Sequence, residues 1–83
     1  MSHLTRNPKD IGHVIREVRK ARKLTQKDLA NMSGVWQETI SKTENGVANT
    51  QLETLFDLLA ALELEITIGE RSKGDSADFE NIF

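Results

Sequence analysis

Cysteine and tyrosine are absent from these 83 residues, and there are only one tryptophan, three phenylalanines and one proline. Without cysteine there is neither a disulfide nor a thiolate-bound zinc, a composition that suits a reducing interior. No apolar run approaches the ~18 residues of a membrane span. The opening stretch MSHLTRNPKD lacks the apolar segment of a secretion signal. A cytoplasmic chain with no membrane partner is therefore expected. The two histidines, His3 and His13, are too few and too separated for a metal site. No nucleophile–base arrangement, phosphate-cradling glycine loop or buried acid pair is discernible, so no enzyme activity, cofactor or metal is expected.

What is present suits one small domain. A chain of this length buries only about 60% of the surface it exposes when unfolded, and dimerisation is a common remedy for so marginal a core. The net charge of −2 conceals an imbalance. Residues 1–46 hold nine Lys/Arg against five Asp/Glu, and residues 47–83 hold two against eight. A basic half joined to an acidic half is the asymmetry that the overall charge hides, with ordinary scatter as the competing account.

The helices can be placed from caps and periodicity. Asn7 as N-cap, Pro8 at the first helical position and Asp10 in the first turn open a helix running to about Lys23. Its buried face is Ile11, Val14, Ile15 and Val18. Thr25 and Asp28 form a near capping box for a second helix carrying Leu29, Ala30 and Met32, which stops at Gly34. A third spans roughly 37–45 and ends at Asn45-Gly46. Thr50 and Glu53 predict a capping box for a fourth, with an apolar stripe of Leu52, Leu55, Phe56, Leu59 and Leu62. The period then changes to two: Leu64, Ile66 and Ile68 alternate with Glu63, Glu65 and Thr67. A lone strand cannot satisfy its own backbone groups, and a second copy of itself is its simplest partner. Residues 71–83 are polar and acidic until Phe79, Ile82 and Phe83, and read as a flexible tail with an apolar end.

The third helix poses the question of function. Between Gln37 and Glu44 seven polar residues surround one aliphatic, Ile40, so the helix adds little to a core. Two short helices joined by a tight glycine-containing turn form the helix-turn-helix pattern. In that geometry Ile40 and Val35 anchor the helix on Leu29 and Ala30, while its polar side chains enter a major groove. Gln37 can pair with adenine, Lys42 can reach guanine or phosphate, and Glu38 can accept from cytosine. Thr39 and Ser41 offer short hydroxyls. Gln26 sits at a helix N-terminus with an amide free for a phosphate. The bland alternative is a solvated helix in any four-helix domain.

The stretch LTQKDLANMSGVWQETISKTENG closely resembles the helix-turn-helix of the XRE/Cro–repressor family, and the continuation NTQLETLFDLLAALELEITI resembles its HipB-type antitoxin branch. The resemblance covers roughly 8–68. It implies an all-α, four-to-five-helix lambda-repressor-like domain with one C-terminal β-strand pairing across a homodimer. The division it suggests is an N-terminal arm at 1–7, the DNA-binding and dimerisation domain at 8–70, and the tail at 71–83. It implies a repressor bound to palindromic double-stranded operator DNA, acting as the antitoxin of a HipA-type Ser/Thr kinase toxin and repressing its own operon. Base-reading positions would be Trp36, Gln37, Glu38, Thr39, Ser41 and Lys42, with phosphate contacts from Gln26, Lys27, Arg22, Lys23 and Asn45. Leu64, Ile66 and Ile68 would form the dimer strand, and Arg19 would pair with Glu44.

Three residues depart from the family pattern. Trp36 stands where a capping Ser or Thr is usual, and is expected either to pack on a sugar or thymine methyl or to cover the helix start. Glu38 adds a negative charge. Thr43 replaces a large apolar residue, which predicts a looser junction. A stand-alone XRE-family regulator and a purely protein-binding module remain the alternative functions.

Overall fold

The computed structural model describes residues 3–46 and 49–71. Four helices follow in order: α1 (Pro8–Ala21), α2 (Gln26–Ser33), α3 (Gln37–Glu44) and α4 (Leu52–Ala61). The Asn7 side chain accepts the Asp10 N–H at 2.8 Å, and Pro8 follows it in the first turn. At α2 the capping box is reciprocal. Thr25 Oγ1 accepts the Asp28 N–H at 2.9 Å, and Asp28 Oδ2 accepts the Thr25 N–H at 2.9 Å. These bonds satisfy donors that every helix start leaves open.

α1 packs on α3, and α2 packs on both α3 and α4. Their shared core is Ile15, Leu29, Val35, Ile40, Leu58, Leu59 and Leu62, with Val18, Leu24, Leu55 and Leu64 half-buried around it. Each fully buried Leu or Ile contributes about 1.5–3 kcal/mol, which makes the five among the described residues, Ile15, Leu29, Ile40, Leu58 and Leu62, the main favourable term in a domain this small.

Several expectations need correction. α1 ends at Ala21, before Lys23. Lys23 lies in the left-handed region (φ 59°), its N–H donates to the Lys20 carbonyl at 2.9 Å, and the Leu24 N–H returns to Arg19 at 3.1 Å. This is a Schellman closure built without glycine. α4 closes the same way through Glu63 (φ 58°), with Glu63 N–H on Ala60 and Leu64 N–H on Leu59. The Thr50–Glu53 box does not form. Gln51 is the N-cap of α4 and makes no side-chain cap bond, because the Thr50 hydroxyl is engaged with that of Thr43 at 3.0 Å.

The α4 stripe is rotated from its expected place. Leu58, Leu59 and Leu62 are buried, while Leu52 and Phe56 are 65% and 48% exposed. α4 has more apolar positions than one face can hold, and the row one turn apart at 52 and 56 faces away from α2. No strand forms among the described residues, so the alternation at Leu64, Ile66 and Ile68 finds no ladder among them. Leu64 is half-buried, whereas Ile66 and Ile68 are exposed. The apolar tail end at Phe79, Ile82 and Phe83 lies outside the described residues.

Candidate nucleic-acid interface

The turn between α2 and α3 is locked by local bonds. Gly34 takes the left-handed conformation (φ 77°) and its N–H donates to Ala30 at 2.9 Å. Ser33 Oγ donates to the Leu29 carbonyl at 2.7 Å and accepts the Val35 N–H at 3.2 Å. Val35 and Ile40 are thereby inserted into the core, and they hold α3 by one edge. The opposite edge is bare: Trp36, Gln37, Glu38 and Lys42 are exposed, with Thr39 and Ser41 half-exposed beside them. All six expected base-reading residues thus lie on one short helix and its cap.

Trp36 is 82% exposed and makes no cap bond. It does not cover the helix start, which removes one of the two readings of that departure. Thr43 is buried, but its hydroxyl donates to the Thr39 carbonyl at 2.9 Å and meets Thr50. The polar residue is fully used, and an open cavity of about 310 Å³ lies beside it between Ile11 and Leu55, where a larger apolar side chain would reach.

The back of α3 is held by Glu44, whose side chain is 2% exposed. Arg19 Nε donates to Glu44 Oε2 at 2.7 Å and Arg19 Nη2 to Oε1 at 3.0 Å, a two-pronged pairing suited to guanidinium and carboxylate. Arg19 Nη1 also donates to the Leu24 carbonyl at 2.8 Å. The hydrogen bond from Glu44 raises the Arg19 pKa above its ordinary value, burial works against this, and the Glu44 charge adds to the rise. Arg19 therefore contributes no free cation to the basic surface of α1.

Of the expected phosphate contacts, Lys23, Lys27 and Asn45 are exposed. Gln26 is not free as expected: its Nε2 donates to Glu44 Oε1 at 3.1 Å. Sequence reasoning missed that third donor, because eighteen residues separate the two side chains. Arg22 Nη1 lies 3.6 Å from Glu63 Oε1, an exposed pair worth under about 1 kcal/mol that a phosphate could displace. The Asp28 carboxyl is held below its usual range by the Thr25 N–H and then by the Thr25 hydroxyl, so a negative charge stands at the start of α2. No group of three or more potential metal ligands occurs among the described residues.

The helix-turn-helix family profile matches residues 15–68, which take in α2, the turn and α3. The chain belongs to the XRE-type helix-turn-helix family of DNA-binding regulators. Within the family, antitoxin HipB of Escherichia coli (strain K12) is 33% identical over 78 residues, covering 92% of this chain and 89% of that one. The fold matches a chain of a HipA-HipB-O2-O3 complex with a TM-score of 0.79 and 34% identity, over 86% of this chain and 100% of that chain. It also matches the restriction-modification controller protein C.AhdI from Aeromonas hydrophila, with a TM-score of 0.65 and 33% identity, over 70% of this chain and 88% of that chain.

Replacing Glu44 by Ala leaves the Arg19 guanidinium buried without its partner. The expected loss is about 3–5 kcal/mol, read as a lower urea midpoint with unchanged slope. A loss below about 1 kcal/mol would show that water takes over the pairing.

Proposed function

We infer that the chain is a sequence-specific DNA-binding repressor, and that it acts as the antitoxin of a HipA-type kinase toxin, repressing its own operon. The observation that carries the DNA reading is the bare polar edge of α3: an eight-residue helix fixed by Val35, Ile40, Thr43 and Glu44, while the side chains of Gln37, Glu38 and Lys42 stand exposed on the other edge. Trp36, Gln37, Glu38, Thr39, Ser41 and Lys42 read the bases. Lys23, Lys27 and Asn45 hold phosphates, joined by Arg22 and Gln26 once each leaves its acidic partner. Because Trp36 projects into solvent, contact with a sugar or thymine methyl is its assigned role.

A second copy completes the unit, with Leu64, Ile66 and Ile68 of each chain pairing in a small sheet. The exposure of Ile66 and Ile68 supports this, as does the fact that a strand without a partner leaves its backbone groups unpaired. The toxin partnership is supported by the likeness to HipB, which is found in complex with HipA. The match to a restriction-modification controller protein favours a stand-alone regulator as the second reading. Residues 8–70 are the working unit, preceded by the arm at 1–7, and the site of action is the cytoplasm.

Three measurements test these statements. DNA affinity should fall with salt at a log–log slope near −0.9 per neutralised phosphate, and Gln37→Ala should lose about 1–3 kcal/mol on the preferred site and less on random DNA. Equal losses on both duplexes would remove Gln37 from the base-reading set. Ile66→Pro blocks a ladder bond, so sedimentation should shift toward the monomer, and an unchanged profile would place the seam elsewhere. Tagged protein purified from its native host should carry a stoichiometric kinase chain. Recovery of this chain and DNA alone would favour the stand-alone regulator.

A further inference from the structure

Besides the Arg19–Glu44 pairing, α3 meets α1 through backbone at its C-terminal end. A Cβ on Gly12 would collide with the carbonyl oxygen of Thr43, and would lie 3.1 Å from the carbonyl oxygen of Glu44. Across the same seam, a Cβ on Gly46 would fall 2.8 Å from the Cα of Lys9. Lys9 and Gly12 are three residues apart and share a face of α1. Thr43 and Gly46 bracket the end of α3, where the Gly46 N–H donates to the Thr43 carbonyl at 3.0 Å. One glycine on each side thus brings two main chains into contact. Gly12 lies inside α1, where glycine is disfavoured relative to alanine, so close approach is the physical reason that offsets its cost there.

We propose that Gly12 and Gly46 are positioning residues for DNA recognition, setting the depth at which α3 sits on α1 and hence where its N-terminal residues meet the base edges. The proposal rests on the DNA-reading role of α3. Glu44 holds the helix laterally through Arg19 and Gln26, while the glycine seam fixes its height. With eight residues α3 is about 12 Å long, short enough to move as a rigid rod. To restore ordinary van der Waals contact over a new Cβ, its seated end must lift by about 1 Å. Hydrogen bonds to base edges work over a window of only about 0.5 Å, so that lift breaks them. Phosphate attraction acts over several ångströms and survives it.

The test compares the wild type with Gly12→Ala, Gly46→Asn and Ile15→Val on two probes at one salt concentration: a duplex selected by the wild type from a randomised pool, and a random duplex of equal length. Asn tolerates the positive φ of Gly46 (φ 77°) while opening the seam from the other side. Ile15→Val weakens the core on the same face of α1 without placing a new atom in the glycine seam. Circular dichroism establishes that each chain is folded. Both glycine variants should bind the random duplex within about twofold of wild type, and their selected-to-random ratio should fall about tenfold, the scale of one lost base contact. Ile15→Val should keep the ratio. An unchanged ratio in folded glycine variants, an equal fall in Ile15→Val, or failure of both glycine variants to fold would each overturn the proposal. Absence of any selectable duplex for the wild type would instead overturn the operator reading beneath it.

Discussion

A carboxylate that is almost wholly out of water, at the C-terminal end of α3, is the constraint on which the rest depends. A buried charge without donors is far too costly for a domain of this size, so Glu44 must collect its hydrogen bonds from elsewhere. It collects them from α1 through Arg19 and from α2 through Gln26. One side chain therefore ties three helices together, in a protein whose core offers few alternatives. The arrangement also explains an economy of α3: a helix held by its end and by Ile40 needs no broad apolar face of its own.

The same network changes how the charge of the chain is understood. The basic half of the sequence looks like a continuous electropositive surface when its residues are counted. Folded, Arg19 is withdrawn into the interior and Arg22 leans on Glu63. What remains exposed around the α1–α2 junction is a smaller set, Arg16, Lys20, Lys23 and Lys27, with the Asp28 carboxylate standing among them. The polar edge of α3 and these basic side chains thus lie on separate elements, and can be altered separately.

Two helix endings show where local sequence rules fall short. The capping residues at Asn7, Thr25 and Gly34 announce themselves because each makes its bond within four residues. Lys23 and Glu63 adopt the left-handed closure that glycine normally signals, and no residue type marks them beforehand. The fold imposes that conformation because Leu24 and Leu64 must turn back onto the core. Thr50 is the converse case: it carries the right signature for a cap, yet its hydroxyl goes to Thr43, an option visible only once α3 and α4 are adjacent.

By itself the sequence determined the number of helices in the motif, the turn at Gly34, the anchoring role of Ile40 and the polar character of α3. All of these follow from bonds or periodicities that span a few residues. Tertiary structure decided which apolar rows of α4 are buried, that Gln26 serves Glu44, that Trp36 projects into solvent, and that Gly12 and Gly46 let two backbones touch. None of these can be read along the chain, because each depends on a partner many residues away and on the orientation in which two helices meet. The strand expected at Leu64, Ile66 and Ile68 depends on more still: a ladder needs a second edge, and the described residues supply none.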